Sequence, residues 1–187
     1  MTGALQGYLD GIRLPLPPGE EDPDPRAARY RPELSEAVTE LYRSITTRTA
    51  LDSLTTEVVR LRCARYNNCR MCQSVRLGAA VRSGLDQSLD DKIDRYEDSD
   101  LDERHKVALR LADAFITQPG TIDEHLRADL ERWFSRAEIV ELLLDLASWL
   151  RAKIYVTLSL DIPYDPESDD IGRFEFSAAG NAVVERR

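Results

Sequence analysis

Apolar residues recur every three or four positions from Pro32 to about Leu160, and this spacing predicts a chain of amphipathic helices. Capping residues and helix breakers divide the region into segments. The predicted helices cover Pro32 to about Thr46, Leu51 to Tyr66, Cys69 to Ser83, Asp86 to Tyr96, Glu103 to Thr117, Thr121 or Asp123 to Trp133, and a last segment after Ser135. The pattern therefore predicts an all-α, multi-helix fold.

Side chains suited to helix ends set several of these boundaries. Asp86 and Asp102 are predicted N-caps, and Ser135 with Glu138 three residues later forms a capping box. Asn68 is a candidate N-cap for the helix that begins at Cys69. Gly84 is predicted to end that helix, because glycine is favoured just beyond a helix C-terminus.

The last helix is apolar over most of its circumference. Its one narrow stripe of polar or small residues consists of Glu138, Glu141, Asp145, Ser148 and Ala152. A helix of this kind is buried, either inside its own domain or between subunits. The pattern leaves both possibilities open.

Composition separates both ends of the chain from the helical region. Residues 1–31 are predicted to form an extended N-terminal arm, because five prolines fall between Pro15 and Pro25. The arm could be a flexible leader or could lie over a neighbouring subunit. Residues 32–160 form the predicted helical domain. Residues 161–187 form a C-terminal extension that is loosely packed, apart from a brief strand-like alternation starting at Arg173.

Charge and length narrow the class of protein. The 187 residues suit a single domain, and 34 acidic against 25 basic residues give a net charge of −9. An acidic chain lacks the positive field that a nucleic-acid binder requires. No signal-peptide pattern and no apolar run of membrane-spanning length are present, so we expect a cytoplasmic protein without a membrane partner.

Three cysteines, Cys63, Cys69 and Cys72, lie within ten positions. An odd, clustered set is unlike a secreted disulfide framework and suits redox or metal chemistry. A helix beginning at Asn68 would place Cys69 in its first turn and Cys72 one turn later. Arg76 would then share their face, because successive helical residues are about 100° apart. The two sulfurs are therefore predicted to be close enough for a reversible disulfide, with a cation nearby that favours the thiolate.

Glu57 is the second candidate for chemistry. It shares a helical stripe with Leu54, Leu61 and Ala64, the face predicted to be buried. A buried carboxylate needs a partner or a raised pKa. The structural interpretation is an ion pair with Arg60 or with a distant arginine.

A zinc site is an alternative for the cysteines, with Cys63 as third ligand and His105 or His125 as fourth. Against this, Cys63 lies in mid-helix beside Val59 and is more simply a packed core thiol. Both histidines lie among charged residues and are predicted to be exposed. No phosphate loop, nucleophile elbow or paired-histidine motif is present, so no metal and no cofactor are predicted.

Glu57, Cys69 and Cys72, with eleven and then two intervening residues, resemble the signature of the alkylhydroperoxidase D family. This family lies within the carboxymuconolactone decarboxylase-like superfamily. The resemblance covers roughly residues 33 to 160 and includes Leu77-Gly-Ala-Ala and the segments starting at Glu103 and Phe134. It implies an all-helical domain that assembles into homotrimers or homohexamers. It also implies an antioxidant oxidoreductase, with a peroxide or a disulfide as substrate and a lipoyl-type or thioredoxin-like reductant.

The resemblance also implies residue roles. Cys72 would attack peroxide, Cys69 would resolve the product as a disulfide, and Glu57 would belong to a proton relay. The sequence departs from the family at Arg76, where the family has a histidine; arginine stays protonated and cannot shuttle a proton. Arg76 could instead stabilise the thiolate or pair with Glu57.

The alternative function is a non-peroxidase helical oligomer that binds a small molecule or a partner protein, with regulatory or vestigial cysteines. A lactone decarboxylase is a further alternative.

Overall fold

Helices dominate the computed structural model, which describes residues 30–47, 49–157, 172–176 and 182–185. The longer helices are α1 (Pro32–Thr47), α2 (Ser53–Tyr66), α6 (Glu103–Thr117), α7 (Glu124–Trp133) and α8 (Arg136–Thr157). The short elements are α3 (Arg70–Gln73), α4 (Gly78–Arg82), α5 (Gln87–Asp90), two 3₁₀ helices (Ile93–Asp98 and Pro119–Thr121) and the strands β1 (Val75–Leu77), β2 (Gly172–Phe176) and β3 (Ala182–Glu185). The helical fold class is confirmed, with a small sheet added. The prediction for residues 1–29 falls outside the described residues.

The predicted caps account for most helix boundaries. The Asp102 carboxylate accepts a hydrogen bond from the backbone N–H of Arg104 at 2.9 Å, and Asp123 accepts one from Leu126 at 2.8 Å. In the capping box, the Ser135 N–H donates to Glu138 at 2.7 Å, and the Glu138 N–H donates to the Ser135 hydroxyl at 3.3 Å. These boundaries follow from local chemistry, which is why the sequence predicts them.

Helix α2 runs through the centre of the structure. One side of it, with Val59 and Cys63, packs in a core with α6 and α8. The opposite side, with Val58 and Leu61, packs in a second core that contains Leu77 of β1 and residues of the shorter elements. Because α2 is enclosed from both sides, its polar residues Glu57 and Arg60 are buried as well.

The continuous helix predicted from Cys69 to Ser83 is wrong. The structure has the single turn α3, then β1, then α4. The helix is interrupted because Val75 to Leu77 pair in parallel with Gly172 to Phe174. This pairing engages the backbone with a segment almost one hundred positions away, so local periodicity does not reveal it. Gly84 ends α4 as predicted, at a φ of 109°.

Helix α8 is oriented with its polar stripe inward. Glu141, Asp145 and Ser148 are buried, whereas the apolar Val140 and Leu144 are 56% and 40% exposed. The helix is thus buried within its own domain along one side and presents apolar residues on another.

Residues 172–176 and 182–185 are the described part of the predicted C-terminal extension, and they form strands instead of the loosely packed segment expected there. The prediction for its other residues falls outside the described ones. The alternation noted from Arg173 is strand β2, which lies between β1 and an antiparallel β3. Phe174 points into the second core and is 5% exposed. Within the described ranges, no helix combines the length and apolarity needed to cross a membrane.

Candidate functional site

The dithiol lies in a tight turn directly after α2. Asn68 adopts a left-handed conformation with a φ of 49°, and the Cys69 N–H reaches back to the Ala64 carbonyl at 2.9 Å. This is a helix C-terminal motif, so Asn68 ends α2 and is not the predicted N-cap of the next helix. Cys69 and Cys72 form a disulfide with Cα atoms 5.3 Å apart. Cys69 is fully buried, and Cys72 is 9% exposed.

Glu57 lies beneath this turn and is completely buried. Its two carboxylate oxygens accept hydrogen bonds from the Arg60 guanidinium, at 2.6 Å from Nε and 2.7 Å from Nη2. The Leu77 N–H donates a third bond at 2.9 Å. The buried ion pair with Arg60 that the sequence offered as a structural interpretation is therefore confirmed, and three donors hold the carboxylate in one orientation.

Arg60 connects Glu57 to the dithiol turn. Its guanidinium also donates to the Cys72 carbonyl at 2.8 Å and to the Val75 carbonyl at 2.7 Å. It lies 5.2 Å from the centre of the Phe174 ring. Burial by itself lowers the pKa of Arg60, but the charge and hydrogen bonds of Glu57 raise it above its usual value, so the cation is retained.

Arg76 does not share a helix face with Cys69 and Cys72, because it lies on β1. Its guanidinium donates to the carbonyls of Gln73 at 2.6 Å and Val75 at 3.0 Å, and to Asp90 at 3.1 Å. Glu57 is paired with Arg60 and not with Arg76. Arg76 thus binds the main chain that follows the two cysteines, as Arg60 does.

Asp90 is a partner that the sequence did not reveal. It is 4% exposed, and its Oδ2 accepts from Arg65 at 2.7 Å as well as from Arg76. Its Oδ1 has no hydrogen-bond partner within the described part of the chain. The only sequence signal here is a charged residue in a short predicted helix, which is ordinarily exposed.

Cys63 is the packed core thiol that was predicted. It is fully buried and free, and burial raises the pKa of its thiol. His125 is exposed as expected, but His105 is half-buried, and burial lowers its pKa. Among the residues that the structure describes, no three histidine, cysteine or acidic side chains are grouped so as to hold a metal ion.

A second group of buried charges lies along α8. Glu141 accepts hydrogen bonds from the Thr49 hydroxyl and the Ala50 N–H. Asp145 is 3% exposed, and burial, reinforced by the charge of Glu141, raises its pKa to about 8. Lys153 is 2% exposed, and burial lowers its pKa to about 7. The polar stripe of α8 was predicted from the sequence, but its inward orientation was not.

The site combines a disulfide-bonded cysteine pair, a carboxylate held in place, and two guanidinium groups that bind the main chain after Cys72. Both Arg60 and Arg76 donate to the Val75 carbonyl. Such a site is suited to thiol–disulfide chemistry and lacks the ligand set of a metal centre among the described residues.

No protein-family model matches the chain. Two uncharacterized proteins from two strains of Mycobacterium tuberculosis are each 40% identical to it over 115 residues, or 61% of this chain. The chain spans 40% of the length of these relatives.

Solved structures show the fold. One similar structure is a protein of unknown function from Agrobacterium tumefaciens, proposed to be the antioxidant defence protein AhpD. The TM-score is 0.61 at 19% sequence identity, and the match covers 77% of this chain and 100% of the Agrobacterium chain. Another is a peroxidase-related protein from a Silicibacter species, with a TM-score of 0.63 at 18% identity and 78% coverage of both chains. The debrominase Bmp8, bound to 2,3,4-tribromopyrrole, has a TM-score of 0.63 at 16% identity and covers 87% of this chain and 84% of its own. The chain therefore has the alkylhydroperoxidase D-like fold that its sequence signature predicted.

Proposed function

We propose that the chain is a thiol-dependent antioxidant oxidoreductase that cycles Cys69 and Cys72 between dithiol and disulfide. The observation that carries the proposal is the disulfide pair whose Cys72 carbonyl is bound by Arg60 of the buried Glu57–Arg60 ion pair. Cys72 is the more accessible of the two cysteines and is the attacking thiolate, whereas the fully buried Cys69 resolves the product.

In the peroxidase form of this cycle, the Cys72 thiolate attacks the terminal peroxide oxygen and breaks the O–O bond. Cys72 becomes a sulfenic acid, and the departing alkoxide takes up a proton to leave as an alcohol. The Cys69 thiolate then attacks the sulfenic sulfur, which forms the disulfide and releases water. An external dithiol of the lipoyl or thioredoxin type then reduces the Cys69–Cys72 disulfide. It restores both thiols and is itself oxidised to a disulfide.

Glu57 is the proposed proton-handling group, and Arg60 positions it. Two of the three hydrogen bonds to the Glu57 carboxylate come from Arg60, and together the three leave the carboxylate little freedom to move. The position from which Glu57 would accept or donate a proton is therefore set mainly by Arg60. Arg76 is proposed to stabilise thiolate character through its charge and its hold on the turn. No proton transfer is assigned to it.

Disulfide reductase activity is the second candidate. The observation that favours it is the complete pairing of Glu57, because exchange between a dithiol and a disulfide requires less proton transfer than O–O cleavage. A non-peroxidase oligomer that binds a small molecule or a partner protein is the third. The debrominase among the similar structures shows that this fold hosts more than one chemistry.

We further propose a homotrimer or homohexamer in the cytoplasm. The exposed apolar residues Val140 and Leu144 of α8, with Leu34 and Leu41 of α1, support association between copies. A reducing compartment would supply the dithiol that the cycle consumes. Size-exclusion chromatography with light scattering tests the assembly, and replacement of Leu144 by Glu should yield monomers.

The function is tested by following consumption of hydrogen peroxide and of an alkyl hydroperoxide with a lipoyl-type dithiol as donor. We expect turnover in the native chain and its loss in Cys72→Ser. Cys63→Ser is the matched control, because Cys63 is buried outside the pair, and it should retain activity within about threefold. Reduction of a small disulfide by the same proteins, without peroxide turnover, would select the reductase candidate.

A further inference from the structure

A cleft of about 380 Å³ lies where the sheet meets α5. Four charged side chains line it, two guanidinium groups and two carboxyl groups, and they belong to Arg76, Arg173, Asp86 and Asp90. The strands supply the two arginines, and α5 with the residue before it supplies the two aspartates. Arg76 also binds the main chain after the cysteines, so the cleft adjoins the dithiol turn.

The two arginines are neighbours because of the strand register. Arg76 on β1 is paired with Arg173 on β2, and the next pair, Leu77 with Phe174, faces the second core. Successive side chains of a strand point to opposite faces, so both guanidinium groups lie on the face away from that core. Like charges at directly opposite positions destabilise a sheet unless counter-charges are near. Asp90 supplies one for Arg76 at 3.1 Å, whereas Arg173 makes no hydrogen bond or ion pair within the described part of the chain.

The two aspartates lie one helical turn apart. The Asp90 N–H donates to the Asp86 carbonyl at 3.0 Å, which places both residues on the same side of α5. One oxygen of Asp86 accepts from the Leu89 N–H at 2.8 Å, and its other oxygen has no donor among the described residues. Asp90 is 96% buried, and its Oδ1 has no hydrogen-bond partner in the part of the chain that the structure describes. A buried carboxylate oxygen without a donor is costly, so the helix side of the cleft favours the arrival of a donor.

The charges of the cleft are therefore only partly matched. Arg76 and Asp90 pair with each other, but Arg173 and Asp86 form no ion pair in the described ranges, although both line the same cleft. This leaves one cation from the sheet and one carboxylate from the helix, each with hydrogen-bonding capacity to spare. A ligand with a single charge would match only one of them.

We propose that this cleft binds a small zwitterion of the amino-acid class. Its carboxylate contacts the Arg173 guanidinium, because arginine matches the planar geometry of a carboxylate. Its ammonium group contacts the Asp86 carboxylate and brings donors to the helix side of the cleft. Its apolar part packs against Val81 and Leu85, which complete the apolar part of the wall. A purely anionic ligand would meet two carboxyl groups, and a purely cationic ligand would meet two guanidinium groups.

The proposed binding goes beyond the redox cycle and does not depend on it. No cysteine is among the described residues that line the cleft, so a Cys72→Ser protein retains the cleft while it should lack peroxide turnover. Failure of the redox cycle and failure of zwitterion binding are therefore separate results.

The test compares zwitterions with analogues that lack one of the two charges. Leucine carries both charged groups on one carbon atom, and ε-aminocaproate separates them by a methylene chain, so the two bracket the spacing. The single-charge analogues are isocaproate and isoamylamine for leucine, and caproate and hexylamine for ε-aminocaproate. Each compound is titrated calorimetrically into the full-length protein at about pH 7, where carboxylates and amines are ionised.

We expect at least one zwitterion to bind about tenfold more tightly than both of its single-charge analogues. If neither zwitterion exceeds both of its analogues, which includes the case that nothing binds, the proposal is overturned.

Two variants assign the contacts. Asp86→Asn keeps a good helix N-cap and removes the charge, so it should weaken the zwitterion about tenfold and leave its carboxylate analogue within about threefold. Arg173→Gln should weaken the zwitterion about tenfold and leave its amine analogue within about threefold. A general structural disturbance would not divide the analogues in this way.

Glu131→Gln on α7 and Arg136→Gln on α8 are the matched controls. Both positions are exposed and outside the cleft, and the two changes alter net charge as the test variants do, so binding should not change. The two test variants lie on different sides of the cleft, so either one decides if the other does not fold. Undiminished zwitterion binding in a folded Asp86→Asn or Arg173→Gln protein contradicts the assignment.

Discussion

Two arginines bind the main chain at and after the dithiol turn, and their surroundings differ. Arg60 comes from the central helix and pairs with Glu57, whose two oxygens are both engaged. Arg76 comes from β1 and pairs with Asp90, which keeps one oxygen without a described partner. Both guanidinium groups meet at the Val75 carbonyl.

This difference distinguishes an arginine that only supports the main chain from one that also positions the proposed catalytic carboxylate. Among the described residues, Glu57 is the one carboxylate partner of Arg60, so removal of either residue leaves a buried charge uncompensated. Asp90 has two arginines, so loss of Arg76 leaves Arg65 in place. The buried pair of Arg60 and Glu57 is therefore the structural centre and the proposed place of catalysis, whereas Arg76 supports the main chain.

The largest expected effect is on stability. Arg60→Met should lower the free energy of unfolding by about 3–5 kcal/mol, because it leaves Glu57 buried and unpaired. Arg76→Met should cost about 1–2 kcal/mol, because Asp90 retains Arg65. Urea denaturation of the reduced proteins measures both values, and Arg60→Lys controls for charge. Equal losses for the two Met variants would remove the distinction between the two sides.

The next effect is on turnover. Glu57→Gln should reduce peroxide consumption about a hundredfold, because the amide cannot accept a proton in the reaction. Asp90→Asn changes the other buried carboxyl group and should stay within about threefold. Steady-state kinetics at equal protein concentration compares them. If Asp90→Asn is the more damaging change, the catalytic side has been assigned to the wrong arginine.

An effect that is smaller per pH unit concerns the Asp145 carboxyl group. The pKa of Asp145 is raised to about 8 in the folded chain, above its ordinary value of about 3.9, so folding stability that depends on its proton declines as the pH rises between these values. Asp145→Asn cannot titrate and should gain about 1 kcal/mol per pH unit relative to the native chain across this window.

Lys153, whose pKa is lowered to about 7, titrates in both proteins, so the difference between their unfolding profiles isolates Asp145. Denaturant unfolding at several pH values gives that difference. A difference that does not change with pH would show that the Asp145 carboxyl group is ionised in the folded chain over the whole window.

The smallest effect is expected at Arg76. Arg76→His restores the residue type of the family signature, yet residue 76 lies on β1 and its side chain is directed toward Asp90. We expect peroxide turnover to change by less than about threefold. A tenfold gain would show that a histidine at this position does reach the reacting cysteine.

Most of the helical fold could be predicted because its signals are local. Asp102, Asp123, and Ser135 with Glu138 start helices through bonds that span two or three residues. Strand β1 could not be predicted, because it forms by pairing with β2, which lies almost one hundred positions further along the chain. Local periodicity does not reveal such a pairing. The burial of Glu57 followed from its helical stripe, and Arg60 was among its offered partners. Three features could not be predicted because they depend on tertiary packing, which a single sequence does not display. They are the direction of the Arg76 side chain, the pairing of Asp90 with two arginines, and the inward orientation of the polar stripe on α8.

The most direct test of the central claim counts thiols. The reduced protein, denatured and labelled with a mass tag, should carry three tags, one for each cysteine. After a stoichiometric pulse of peroxide, we expect one tag, on Cys63, with Cys69 and Cys72 joined. Three tags after the pulse, or loss of the Cys63 tag while Cys69 and Cys72 remain labelled, would contradict it.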